Sequence, residues 1–158
     1  MEFLGEHRRC KVYWLDFFEK NFPDLPNENW LCFAMSENDP YQEPQKELIS
    51  KFCKISIEKG IYEFKAFGSQ SSKLDDFFVR EVVEYDEKTN QDLHVMTTCH
   101  DDESLANAFW GCFYATCLPD EADYDNLKLV CTHFENIDKK AELKDYLERF
   151  NEGWLPEN

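Results

Sequence analysis

The sequence predicts an α/β fold: a small three-layer sandwich in which a mainly parallel four-stranded sheet carries helices on both faces. Three observations predict it. Four short apolar runs recur along the chain, each leads into a stretch of helical periodicity, and glycine or proline punctuates the joins. Strands that alternate with helices imply βαβ crossovers, and crossovers imply a parallel sheet covered on both sides. The chain has 158 residues, the usual size of one domain with one core, so residues 1–158 are expected to form a single unit.

Between Cys10 and Phe22 the aromatics Trp14, Phe17, Phe18 and Phe22 recur at helical spacings until Pro23 and Pro26 break the pattern, so residues 1–26 read as a lead-in with a short amphipathic helix. The run Trp30 to Met35 is apolar throughout and closes on Ser36 to Pro40, as expected of a strand buried on both faces. From Glu43 to Lys59, Leu48, Ile49, Phe52 and Cys53 mark one helical stripe, with Pro44 in the first turn and Gly60 at the C-terminal cap. Ile61 to Phe67 alternates strictly, which predicts a strand near an edge with one less buried face; the loop Gly68 to Ser72 follows.

A second helix from Ser72 to Lys88 turns Leu74, Phe77, Phe78, Val82 and Tyr85 inward, and Asp75 and Asp76 suit its N-terminal dipole. The same grammar then repeats twice. Strand Leu93 to Cys99 precedes a helix from Ser104 to Cys117 that Pro119 stops, and strand Leu127 to His133 precedes a helix from Asp138 to Asn151. Residues 152–158 form a tail. The simplest strand order is the flavodoxin-like 2-1-3-4.

Aspartate and glutamate total 33 against 17 lysines and arginines, giving a net charge of −16. Such a field repels nucleic acid and anionic lipid and draws in basic partners, although it also serves solubility alone. No apolar stretch is long enough to cross a bilayer, and the start MEFLGEHRRCKVYW lacks the apolar core of a secretory leader, so the cytoplasm is the expected compartment. The cysteines number seven, an odd count without any C-x-x-C, and most lie in apolar runs, which predicts reduced thiols without metal. With five glycines and no phosphate-binding glycine motif, no nucleotide or other cofactor is expected.

In an open parallel sheet, ligands bind beyond the carboxyl ends of the strands. The loops there carry Glu37 and Asp39, then His100, Asp101, Asp102 and Glu103, then His133, Glu135 and Asp138. Acids that begin a helix cap its free N–H groups, which accounts for Asp101 or Asp102 and for Asp138; the alternative is a metal-assisted enzyme using His100, Asp101 and His133. Cys99 with His133 would require the fold to bring them together. The helix from Ser104 is apolar nearly all round, so Trp110 and Tyr114 either sit in the core or supply a partner surface. The loop holding Asp120, Glu121, Asp123 and Asp125 lacks the spacing of a calcium loop and reads as solvated acid or as a docking element for a basic partner.

The segment His94 to Trp110 (HVMTTCHDDESLANAFW) resembles a strand-to-helix junction of small bacterial immunity proteins from contact-dependent and polymorphic toxin systems. The resemblance implies a non-enzymatic protein that binds a cognate toxin, basic if a nuclease, and covers its active site. It carries no catalytic or metal-binding residue onto this chain. Partner contacts are then expected at Asp101, Asp102, Glu103, Trp110, Tyr114, Asp120, Glu121, Asp123 and Asp125, with an acidic nucleic-acid mimic as a further alternative.

Overall fold

The computed structural model describes residues 1–157. Strands β1 (Glu2–His7) and β2 (Cys10–Trp14) form a hairpin, after which β3 (Trp30–Met35) leads into α1 (Gln45–Glu58) and β4 (Glu63–Phe67) into α2 (Ser71–Thr89). Strand β5 (Met96–His100) leads into α3 (Leu105–Tyr114), and β6 (Lys128–His133) into α4 (Lys140–Asn151). All six strands join one sheet in the order β1-β2-β6-β3-β4-β5; β1 runs antiparallel to β2 and every other neighbouring pair is parallel. The α/β class holds, but the sheet has six strands rather than four.

The two additional strands replace the expected lead-in helix. Cys10, Val12 and Trp14 point inward while Lys11 and Tyr13 point outward, a period of two that the aromatic spacing to Phe22 disguised. Phe17 and Phe22 are buried from two 3-10 turns, Phe17–Glu19 and Phe22–Asp24. Arg8 and Arg9 make the hairpin turn with φ of 51° and 64°. That left-handed pair is normally Asn-Gly, so the sequence carried no ordinary hairpin signal.

Strand order also differs. Numbering the four expected strands along the chain, the observed order is 4-1-2-3 rather than 2-1-3-4. From β3 the chain steps to β4 and then β5 in one direction, and β6 returns to the other side of β3. Crossovers of one hand that move in opposite directions put their helices on opposite faces. Accordingly, α1 and α2 pack with Trp30, Cys32, Ala34, Phe64 and Ala66, and α3 and α4 pack with Leu31, Phe33, Met35, Leu129 and Cys131. The alternation within β3 thus feeds two cores, and each fully buried aromatic contributes about 1.5–3 kcal/mol. Phe64 and Phe78 stack at 4.2 Å in the first core, and Phe109 meets Phe33 at 5.8 Å in the second.

Three local expectations shift. Strand β5 starts three residues later than Leu93, because Leu93 and Val95 pack against the first core before the ladder begins. Helix α3 ends at Tyr114, before Cys117 and well before Pro119: Ala115 leaves helical geometry, its carbonyl accepts from Lys65 Nζ at 3.0 Å, and the Phe113 carbonyl accepts from Arg8 at 3.3 Å. Strand β4 is not a half-exposed edge. Its outward-reading Glu63 and Lys65 are both 1% exposed and pair at 3.3 Å beneath α3. Burial pushes the Glu63 carboxyl up, and Lys65 opposes that shift.

Candidate functional site

The strand order reverses between β3 and β6, so the crevice beyond their carboxyl ends is where such a sheet would bind a ligand. Carboxylates of the chain itself occupy it. The N–H groups of Glu37 and Asn38 and the Ser36 hydroxyl all donate to Glu135, and Glu37 in turn accepts from the Ser69 N–H at 3.1 Å. Gly68 approaches so closely that a Cβ there would lie 1.9 Å from the Ser36 carbonyl oxygen. Three loops are therefore laced together by Glu37 and Glu135. Beneath them His133 is 4% exposed and its Nδ1 accepts from the Glu135 N–H at 3.1 Å; burial pulls its pKa down.

Further along the same rim lies the end of β5. His100 links Thr98 (2.9 Å) to Glu103 (2.5 Å), and Glu103 accepts from the Asn107 amide at 2.6 Å. Ser104, not Asp101 or Asp102, caps α3, accepting from the Asn107 N–H at 3.1 Å. This corrects the capping expectation for Asp101 and Asp102, and its consequence is chemical. Both side chains are exposed and neither forms an ion pair among the described residues. Three lysines of the same rim are engaged elsewhere: Lys73 with Asp39, Lys139 with Glu142, and Lys140 with Glu2 and Asp138. The Tyr41 N–H and Lys73 hold Asp39 below the usual carboxylate range.

The opposite rim, at the amino ends of the parallel strands, has mixed charge. Asp125 pairs with Arg9, and Asp123 accepts from the Asp125 N–H at 3.0 Å and the Asn126 amide at 2.7 Å. Asp120 and Glu121 are exposed. Trp110 stacks on Tyr114 at 4.2 Å, Arg8 lies 4.5 Å above the Tyr114 ring, and the Tyr114 hydroxyl meets His7 Nε2 at 2.8 Å. Arg8, Arg9, Tyr114, Tyr124 and Asp125 line a cleft of about 460 Å³.

The nine residues expected to contact a partner therefore fall into two groups. Asp101, Asp102 and Glu103 lie at the carboxyl rim, with Glu103 tied to His100. Tyr114, with Trp110 stacked against it, joins Asp125 at the amino rim, where Asp120, Glu121 and Asp123 also lie. The metal-assisted alternative fares worse: His100 ends β5 and His133 ends β6, with β3 and β4 between them, a separation of about 14 Å at ordinary strand spacing. The same gap separates Cys99 from His133. No group of three His, Cys, Asp or Glu side chains converges to hold a metal among the described residues. All seven cysteines are free, five of them buried. Among the described residues no helix is long and apolar enough to cross a membrane.

Sequence reasoning missed the lacing by Glu37 and Glu135, which only tertiary contact reveals, and the buried Glu63–Lys65 pair. Opposite charges two apart on a strand share a face, so that pair did leave a signal. Comparison with curated proteins finds no match, and neither does comparison with solved structures. Residues 16–150 match the model of a family described as a domain of unknown function (DUF7684), and the chain belongs to that family.

Proposed function

We propose that the protein is an immunity-type binding protein: it captures a basic, nuclease-type toxin domain and occludes that domain's active site. The observation that carries this reading is the pair Asp101 and Asp102, exposed, freed from capping by Ser104, and without an ion-pair partner among the described residues. Unneutralised carboxylates on a chain of net charge −16 create a field that accelerates encounter with a basic surface, and complementary charge fixes orientation. The likeness of His94 to Trp110 to immunity proteins supplies the class of partner. Substrate-binding lysines and arginines of a nuclease are the groups such a rim would meet. The loop that carries Asp101 and Asp102 is held by the His100–Glu103 bond and by Glu103 accepting from the Asn107 amide, so little ordering remains to be done on binding.

The test is co-expression with a panel of basic toxin domains, followed by pull-down and measurement of association rates at increasing salt. The reading expects capture of one domain with an association rate that falls steeply as salt rises. Absence of capture across the panel, or a salt-independent rate, would overturn it.

A further inference from the structure

The sheet has two edges, and they are protected differently. At the first, β1 carries a register break between Phe3 and Gly5, packs against Leu147 and Phe150 of α4 through its inward side, and holds Glu2 in ion pairs with Lys140 and Lys144. A bulge and charged side chains are the usual devices that keep an edge strand from recruiting another chain. At the second edge, β5 (MTTCH) has neither lysine nor proline nor bulge, and its register with β4 is unbroken.

The hydrogen bonds of β5 show which groups remain free. Met96 N–H donates to the Tyr62 carbonyl at 3.1 Å and the His100 carbonyl accepts from Gly68 N–H at 3.2 Å. In a parallel ladder one residue directs both its N–H and its C=O to the same neighbour, and the next residue directs them away. Met96, Thr98 and His100 therefore serve β4, while Thr97 and Cys99 present their backbone groups outward, with no strand beyond them among the described residues.

Helix α2 walls this edge. Along one side it carries Asp75, Val79, Val83 and Asp86, with Val79 40% and Val83 50% exposed. Asp75 and Asp101 border the Cys99 thiol, and Asp75 Oδ1 is shielded without a hydrogen-bond partner. At the other end, Asp86 accepts from the Leu93 N–H at 3.1 Å. The edge thus offers unpaired backbone in the middle, exposed Val79 and Val83 on the adjoining helix, and carboxylates at both ends.

We propose that β5 is a docking strand: an extended segment of a basic partner adds to the sheet there, pairs its backbone with Thr97 and Cys99, lays apolar side chains along Val79 and Val83, and places lysine or arginine beside Asp75, Asp101 and Asp102. Strand addition takes affinity from main-chain bonds and specificity from the flanking side chains. A second copy of this chain is the disfavoured occupant, because it would bring a further charge of −16 against the same acids. The proposal rests on the reading of the rim as a basic-partner surface and names the element that docks.

The probe is a synthetic capped peptide, Lys-Lys-Val-Thr-Val-Thr-Val-Lys-Lys, with its Lys→Glu counterpart as control. Binding is followed by calorimetry, and amide hydrogen exchange is read at Thr97 and Cys99. The basic peptide should bind and slow exchange at both amides, and the acidic one should not. Thr97→Pro removes an outward donor from an edge position where proline is tolerated, so the melt should stay close to wild type while binding weakens about tenfold or more. Exchange in the wild-type chain keeps the question decidable if the proline variant does not fold. Three results would overturn the proposal: no binding of the basic peptide, binding without protection of Thr97 and Cys99, or a wild-type dimer that Thr97→Pro dissociates. Binding that is lost in Asp101→Asn/Asp102→Asn but kept in Thr97→Pro would sink the docking strand and leave the acidic-rim reading standing.

Discussion

The two ends of the sheet use acid differently. At the amino rim, Asp125 is neutralised by Arg9 and Asp123 is spent on a turn, so charge there is local architecture around a cleft that also holds Arg8 and Tyr114. At the carboxyl rim, Glu37 and Glu135 lace the loops after β3, β4 and β6, while Asp101 and Asp102, on the loop after β5, face solvent because Ser104 caps α3. Acid content alone therefore does not mark a docking surface. What separates the rims is which carboxylates the fold has already used.

The largest expected effect tests the rigidity of the carboxyl rim. Gly68→Ala would place a Cβ 1.9 Å from the Ser36 carbonyl oxygen at a φ of +124° and should cost about 3 kcal/mol or more, read as the shift of a urea unfolding curve. At the amino end, Gly153→Ala meets no atom within 4 Å and carries only the penalty of its φ of +92°, about 1 kcal/mol. Equal losses would break the comparison.

A smaller effect distinguishes the two kinds of carboxylate. Glu135→Ala removes the acceptor of the Glu37 and Asn38 N–H groups and the Ser36 hydroxyl and should cost about 1–3 kcal/mol. Asp125→Ala breaks a pair whose side chains are 73% and 66% exposed and should leave the unfolding midpoint unchanged. If the two variants melt alike, the lacing is decorative.

Smaller still is a pH effect beneath the rim. Burial lowers the His133 pKa below its ordinary 6.5, so the unfolded chain binds the proton more readily than the folded one. Stability from this source is complete above about pH 6.5 and is lost as pH falls through the folded value. His133→Asn, which keeps an acceptor for the Glu135 N–H, should flatten the decline in melting temperature between pH 7 and pH 5. An unchanged profile would place the acid sensitivity elsewhere.

The central parallel strands were legible because Trp30 to Met35 is apolar on both faces and only a doubly covered strand accommodates that. The hairpin was not, since Trp14, Phe17, Phe18 and Phe22 mimic a helical stripe and the Arg8–Arg9 turn lacks glycine or asparagine. Strand order depends on where β6 returns, which no local pattern encodes. At the site, Asp101 and Asp102 stood out as acids, but their release depends on Ser104 winning the cap, a competition between neighbours of similar propensity. The early stop of α3 escaped because Lys65 and Arg8, both distant in sequence, take its last carbonyls.

The most direct test of the central claim is the association rate of a captured basic toxin domain with the wild type and with Asp101→Asn/Asp102→Asn, beside Asp123→Asn/Asp125→Asn as the amino-rim control. The carboxyl-rim variant should melt with the wild type, associate about threefold or more slowly at low salt, and converge with it at high salt. The amino-rim variant should associate at the wild-type rate. An unchanged rate for Asp101→Asn/Asp102→Asn, or slowing confined to the amino-rim variant, would contradict the account.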